Sequence, residues 1–206
     1  MNVTKDRQTA HNRVVSRVYG HGRGWVFTPN DFRDLGTRQA IGTILRRLVK
    51  RGAIERLGYG LYHYPVKHPT IGTISPSPEN VARAIVSRAG ARLLPSGAYA
   101  ANILGLSKQV PARITFLTDA QSRTVRLGRQ VIQLKPTATR NLATADRISG
   151  IVIQALRFLG RKNVNERVIQ ELRSRLSKDE KKILVKDAKY APAWLEAFLR
   201  QVAKSR

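Results

Sequence analysis

The sequence contains no cysteine and a single methionine. The first absence removes disulfide, thiolate–metal and cysteine-nucleophile chemistry together. No apolar run approaches the roughly 18 to 20 residues of a membrane-spanning helix. The start, Met1-Asn-Val-Thr-Lys-Asp, lacks the charged-then-apolar pattern of a secretory signal. The expectation is a cytoplasmic chain with no membrane partner. Histidines are few, and His11, His21, His63 and His68 show no i, i+4 spacing with a carboxylate partner of the kind a helical metal site needs. Asp119 follows an expected strand, a position enzymes use, but it lacks a second nearby acid for metal-assisted chemistry. Neither catalysis nor a cofactor is expected.

Acids are also scarce. Thirteen Asp and Glu stand against thirty-eight Lys and Arg, a formal charge of +25. The excess is not a tail: there are twelve bases against four acids in residues 1–64, eleven against two in 65–140 and fifteen against seven in 141–206. With 42% hydrophobic residues the chain can bury a core, so it is not a disordered basic segment. Charge spread over folded sequence attracts polyanions and favours nucleic acid as partner. A membrane-surface role would need one strongly amphipathic basic helix with a broad apolar face, and none stands apart.

Residues 37 to 64 read as one device, a short basic helix followed by a glycine-punctuated hairpin. At 100° per residue, Ile41, Ile44, Leu45, Leu48 and Val49 fall on one helix face. Gln39, Thr43, Arg46 and Lys50 fall on the other, and no acid occurs between Asp34 and Glu55. Gln39 and Thr43 can bond base edges, Arg46 can be bidentate to guanine, and Lys50 suits a phosphate. Arg38 lies near the helix start, and Arg47 lies to one side, placed for a phosphate. Gly42 falls between the faces, either admitting close backbone approach or accommodating packing. The alternative for the whole row is a solvated basic face. Strands at 54–57 and 61–64 turn at Gly58-Tyr59-Gly60. There Arg56 and Tyr59 could touch backbone or minor groove, or Tyr59 could serve turn geometry alone.

Ahead of this device, a helix over about 4–19 buries Ala10, Val14, Val15 and Val18, and Gly20-His-Gly-Arg-Gly24 ends it. That glycine cluster follows a helix, whereas a phosphate-binding loop follows a strand. Thr28, Pro29 and Asp31 signal a helix start. Helix, short strand, helix, helix, hairpin is the order of a winged helix-turn-helix. The fold class expected is α+β: a winged helix-turn-helix over 1–64, a proline-rich linker over 65–78, and a C-terminal domain over 79–206. That domain is mixed α/β to about 140 and a helical bundle from about 148.

Within the second domain, Glu79 to Ala89 reads as a helix, Leu93-Leu94 as a strand, and Ser96 as the cap of a helix burying Tyr99, Ile103 and Leu106. Ser96, Asn102, Ser107 and Gln109 form either a polar recognition surface or local structural bonds, the second being preferred. Ile114–Thr118 is a buried strand, and 124–127 with 130–134 form a hairpin about Gly128-Arg129. Arg123, Arg126, Arg129 and Lys135 on that hairpin form a second candidate nucleic-acid surface or a solvated strand face. Four helices follow, the third opened by a capping box at Ser177–Glu180 and the fourth by Pro192.

Three segments carry a family likeness: Val26–Phe32 running into the basic helix and Arg56–Tyr62; Pro95–Ala112 leading into Phe116–Thr118; and Gly150–Gly160. On these, residues about 7 to 175 resemble the AbiEi type of antitoxin, from bacterial abortive-infection (type IV) toxin–antitoxin systems of phage defence. The resemblance implies an N-terminal domain that binds inverted repeats in its own promoter and represses transcription. It further implies a C-terminal domain that counteracts a nucleotidyltransferase-like toxin. Some antitoxins of this group act without a stable toxin complex and others bind the toxin directly. A monomer in solution or a weak dimer is expected. The lysine-rich tail after about Leu176 lies outside the likeness. The competing reading, drawn from charge shared by all segments, is a general RNA- or ribosome-associated basic protein.

Overall fold

A computed structural model of the chain describes residues 3–87 and 90–204, with side chains from residue 9. Helices and small sheets mix in an α+β arrangement. Two compact units are formed, residues 1–90 with 125–127, and residues 91–124 with 128–206. Among the described residues no helix is long and apolar enough to cross a membrane.

In the first unit, α1 (Val3–Gly20) leads into β1 (Val26–Phe27), a 3-10 segment (Pro29–Leu35) and α2 (Arg38–Lys50). Strands β2 (Glu55–Gly58) and β3 (Leu61–His63) follow, and β3 lies between β1 and β2 in an antiparallel sheet. Val14 and Val18 of α1, Phe27, Phe32, Leu35 and Tyr62 pack with the apolar stripe of α2 into one core. Phe32 meets Phe27 edge to face at 5.5 Å, and Phe27 stacks on Tyr62. The start signal at Thr28 forms as the sequence indicates: Asp31 Oδ2 accepts from the Thr28 amide at 2.6 Å and from its hydroxyl at 3.0 Å.

Residues 65–78, expected as an extended linker, instead contain a two-stranded ladder. In it β4 (Val66–His68) pairs with β5 (Gly72–Ile74). His68 Nδ1 accepts from the amides of Thr70 and Ile71 and pins the turn. Pro65, Pro69, Pro76 and Pro78 all avoid the paired positions, so their missing N–H groups cost the ladder nothing. Helix α3 (Pro78–Val86) packs on β1, which places the unit boundary after Gly90 rather than near 79. Its expected end at Ala89 lies outside the described residues.

In the second unit, β6 (Leu93–Ser96) runs antiparallel to β7 (Arg113–Thr118), and β7 runs parallel to β9 (Gln130–Pro136). The order of the four-stranded sheet is β6-β7-β9-β8, with β8 (Arg123–Leu127) at its edge. Between β6 and β7 lies α4 (Ala98–Ile103); α5 (Ile148–Leu159), α6 (Glu166–Arg175), α7 (Lys178–Asp187) and α8 (Ala193–Ala203) complete the unit. Val152, Leu156, Leu172, Leu184, Leu195, Leu199 and Val202 lie in one core with Ala100 and Ala101 of α4 and Leu104 just after it. The capping box before α7 forms through both its bonds, Ser177 N–H to Glu180 Oε2 and Glu180 N–H to Ser177 Oγ.

Two expectations for 95–106 are corrected. Ser96 does not cap α4; it belongs to β6, opposite Thr115, and Gly97 at φ 62° starts the helix. A positive φ is a conformation that Ser would adopt only under strain. Ile103 is exposed, and Ala100, Ala101 and Leu104 are buried in its place. Two closures hold α5. Gly150 crosses the 144–147 turn so closely that an added Cβ would lie 2.2 Å from the Thr144 carbonyl oxygen. The buried Asp187 accepts from Ser149 Oγ at 2.5 Å and from Arg147 Nη1 at 2.8 Å.

Candidate nucleic-acid interface

Helix α2 forms where its sequence has both end signals. Thr37 Oγ1 accepts from the Ala40 amide at 3.2 Å, satisfying one N-terminal donor. At the other end Gly52, at φ 67°, donates to Val49 O while Ala53 donates to Leu48 O. That bond pair closes the last turn and needs a residue in the left-handed region, which glycine adopts freely. Ile41, Ile44, Leu45 and Leu48 are buried, so the opposite side of the helix is fixed outward by packing.

Arg38, Gln39, Arg46, Arg47 and Lys50 are exposed, and Thr43 is half-buried. An added Cβ at Gly42 would meet nothing within 4 Å, so this glycine is not there to accommodate packing. It leaves a bare patch of backbone at the border between the two faces. Thr43 Oγ1 donates to Gln39 O at 3.0 Å; Arg46 donates from Nη2 to Thr43 Oγ1 at 3.2 Å and from Nε to Gly42 O at 3.4 Å. The Arg46 guanidinium thus lies back along the helix, the direction helical side chains favour.

The hairpin carries Arg56 and Tyr59, both exposed. Arg56 Nε donates to Gly58 O at 3.2 Å, and Gly60 at φ 64° completes the tight turn. Tyr62 is core, and His63, on the central strand, is fully buried. Burial pushes the His63 imidazole below its usual value, against a smaller upward pull from Glu55, whose carboxylate stands 3.7 Å from Nδ1.

Asp34, the acid nearest α2 on its N-terminal side, is occupied. Arg17 reaches across from α1 to bond both its oxygens, at 2.6 and 2.7 Å, and also bonds the Asp31 carbonyl. The hydrogen-bonded guanidinium holds the Asp34 carboxyl at about 2 and raises Arg17 in return. Nothing in the sequence pattern singles out this pair, because it joins residues seventeen apart on different elements. Its consequence is electrostatic: the positive face of α2 is not offset by a bare carboxylate there.

The other sequence-named basics lie on the hairpin of β8 and β9. Arg126 is exposed between buried Val125 and Leu127, Arg129 is exposed in the turn, Lys135 is exposed near the end of β9, and Arg123 is half-buried. Asn102 serves the local structure: its Nδ2 donates to the carbonyls of Ser107 and Gln109 and pins the loop before β7. Ser96 Oγ lies 3.3 Å from Gln154 Oε1 of α5. Asp119 binds Arg92 through the backbone amide and Nε, and that amide bond first, then the guanidinium, lowers its carboxyl. Among the described residues no group of three or more His, Cys, Asp or Glu could hold a metal ion.

A family model, described as a family of unknown function (DUF6088), matches residues 13–184. The chain belongs to the DUF6088 family. The matched stretch takes in α2, its hairpin and the sheet of the second unit, and ends within α7, before α8. No curated protein matches this DUF6088 chain.

Proposed function

We propose that this DUF6088 chain is a sequence-specific DNA-binding protein whose first unit acts as a winged helix-turn-helix. One observation carries the reading: the outer face of α2 presents Arg38, Gln39, Arg46, Arg47 and Lys50 without a single acid, over an inner face locked into a core. Base-edge donors and phosphate-directed cations on one rigid helix are what groove recognition requires. Arg56 and Tyr59 of the hairpin are the wing contacts. The target is duplex DNA upstream of the chain's own gene, bound at inverted repeats by a monomer or weak dimer.

The test is replacement of Arg46 and Lys50 together by Ala. The variant should keep the wild-type fold by circular dichroism and lose specific promoter binding. Wild type, neutralising about six phosphates, should show a log–log salt slope near −5. Unchanged promoter affinity in the double variant would overturn the reading face.

The second unit, on the resemblance of Pro95–Ala112 and Gly150–Gly160, is proposed to counteract a nucleotidyltransferase-like toxin, making the whole an autorepressing antitoxin. Co-expression with the product of the adjacent reading frame tests this: relief of growth arrest by the Arg46/Lys50 variant would separate neutralisation from DNA binding. Positive charge in every segment favours a second reading, a general RNA-associated protein. Equal affinity for promoter, random duplex and structured RNA would select it.

A further inference from the structure

We infer that Thr43 touches no base and is instead a positioning residue that presents Arg46 to guanine, making Arg46 the specificity determinant of the α2 face. The inference rests on the reading of α2 as a DNA-contacting helix and goes beyond it by assigning the two residues different tasks. A hydroxyl has one proton. Thr43 spends it on the Gln39 carbonyl at 3.0 Å, so its oxygen offers only lone pairs to anything else. Arg46 Nη2 occupies one of them at 3.2 Å, while Arg46 Nε reaches the Gly42 carbonyl at 3.4 Å.

Both Arg46 bonds use the Nε–Nη2 edge of the guanidinium. The other edge, with parallel N–H groups on Nη1 and Nη2, remains to meet a ligand. Guanine presents two acceptors side by side, O6 and N7, in the major groove, and a bidentate arginine is their match. Gly42 contributes its carbonyl, which holds Nε, and its bare backbone adds no side chain to the helix surface one turn before Arg46. Tethering before contact also removes rotamer freedom that binding would otherwise cost.

The experiment enriches duplexes from a randomised pool with wild-type protein, then measures the enriched duplex, its single G·C-to-A·T replacements and a scrambled duplex. The proteins are wild type, Thr43→Val, Thr43→Ser, Arg46→Ala and the Thr43→Val/Arg46→Ala pair. Wild type should lose roughly five- to a hundredfold in affinity at one replaced G·C pair. Thr43→Val should lose most of that discrimination while binding the scrambled duplex like wild type. Thr43→Ser, which keeps the hydroxyl, should retain the discrimination. The paired variant should be no worse than Arg46→Ala alone. Three results overturn the inference: additive losses in the pair, a Thr43→Val effect at a different base pair from the Arg46→Ala effect, or Thr43→Val indistinguishable from wild type. A pool from which wild type enriches no motif overturns the DNA-reading proposal itself, a distinct outcome.

Discussion

Gly42→Ala should stabilise the protein and weaken its proposed activity, two effects of opposite sign from one methyl group. The position lies in the interior of α2 with an ordinary negative φ, and the new Cβ would have no heavy atom within 4 Å, so the folded state takes it without strain. Removing glycine from an exposed helix interior gains about 1 kcal/mol through the lower entropy of the unfolded chain. For a unit of about 90 residues that gain corresponds to a rise of roughly 4–8 °C in melting temperature. The same methyl stands at the border of the outer face, one turn after Gln39 and one turn before Arg46. If a duplex packs there, it meets the methyl where bare backbone stood. Shape loss at a close-packed contact is worth about 1–3 kcal/mol, a five- to hundredfold drop in promoter affinity. Scanning calorimetry and fluorescence anisotropy on the same preparation read both quantities. A variant that melts higher and binds its promoter as tightly as wild type would refute close approach of DNA to this face. One that melts lower would refute the account of α2 itself.

Other perturbations report on the packing inside each unit. Gly150→Ala puts a Cβ 2.2 Å from the Thr144 carbonyl oxygen and 2.8 Å from Leu94 Cδ1, so α5 must retreat by more than an ångström; a loss of about 3 kcal/mol or more is expected by denaturant titration. Asp187→Asn keeps the shape and can donate its amide to Ser149 Oγ but loses the charge facing Arg147, so it should cost about 1–2 kcal/mol, with Asp187→Ala more severe because Ser149 and Arg147 lose their acceptor. His63, buried and lowered by desolvation, binds a proton more readily unfolded than folded. Its contribution to stability is therefore complete above the ordinary histidine value near 6.5 and is lost as pH falls below it. Melting of wild type should decline from pH 7 to pH 5 more steeply than that of His63→Phe, and parallel curves would dismiss the role.

Helix α2, its cap at Thr37, its stop at Gly52 and its buried stripe were readable in the sequence because all are local: side chains within four residues decide them. The helical half from Ile148 was legible for the same reason, through apolar spacing and the Ser177 capping box. The ladder at 66–74 was not, since four prolines look like a linker until the pairing register places each of them off the hydrogen-bonded positions. Ser96 was misread because Ser before a helical run is a cap signal, and only pairing with Thr115 draws it into a strand.

What the sequence alone determined is the two-faced character of α2 and the excess of positive charge, because composition and a 3.6-residue period depend on nothing distant. Tertiary structure decided which polar groups around that helix remain available. It ties Asp34 to Arg17 across seventeen residues and seals His63 in the middle of a sheet, whereas the bonds of Thr43 to Gln39 and Arg46 stay within one turn of α2. A hydrogen bond uses up a donor or acceptor only once its partner has been brought within about 3 Å, and that meeting is arranged by the fold.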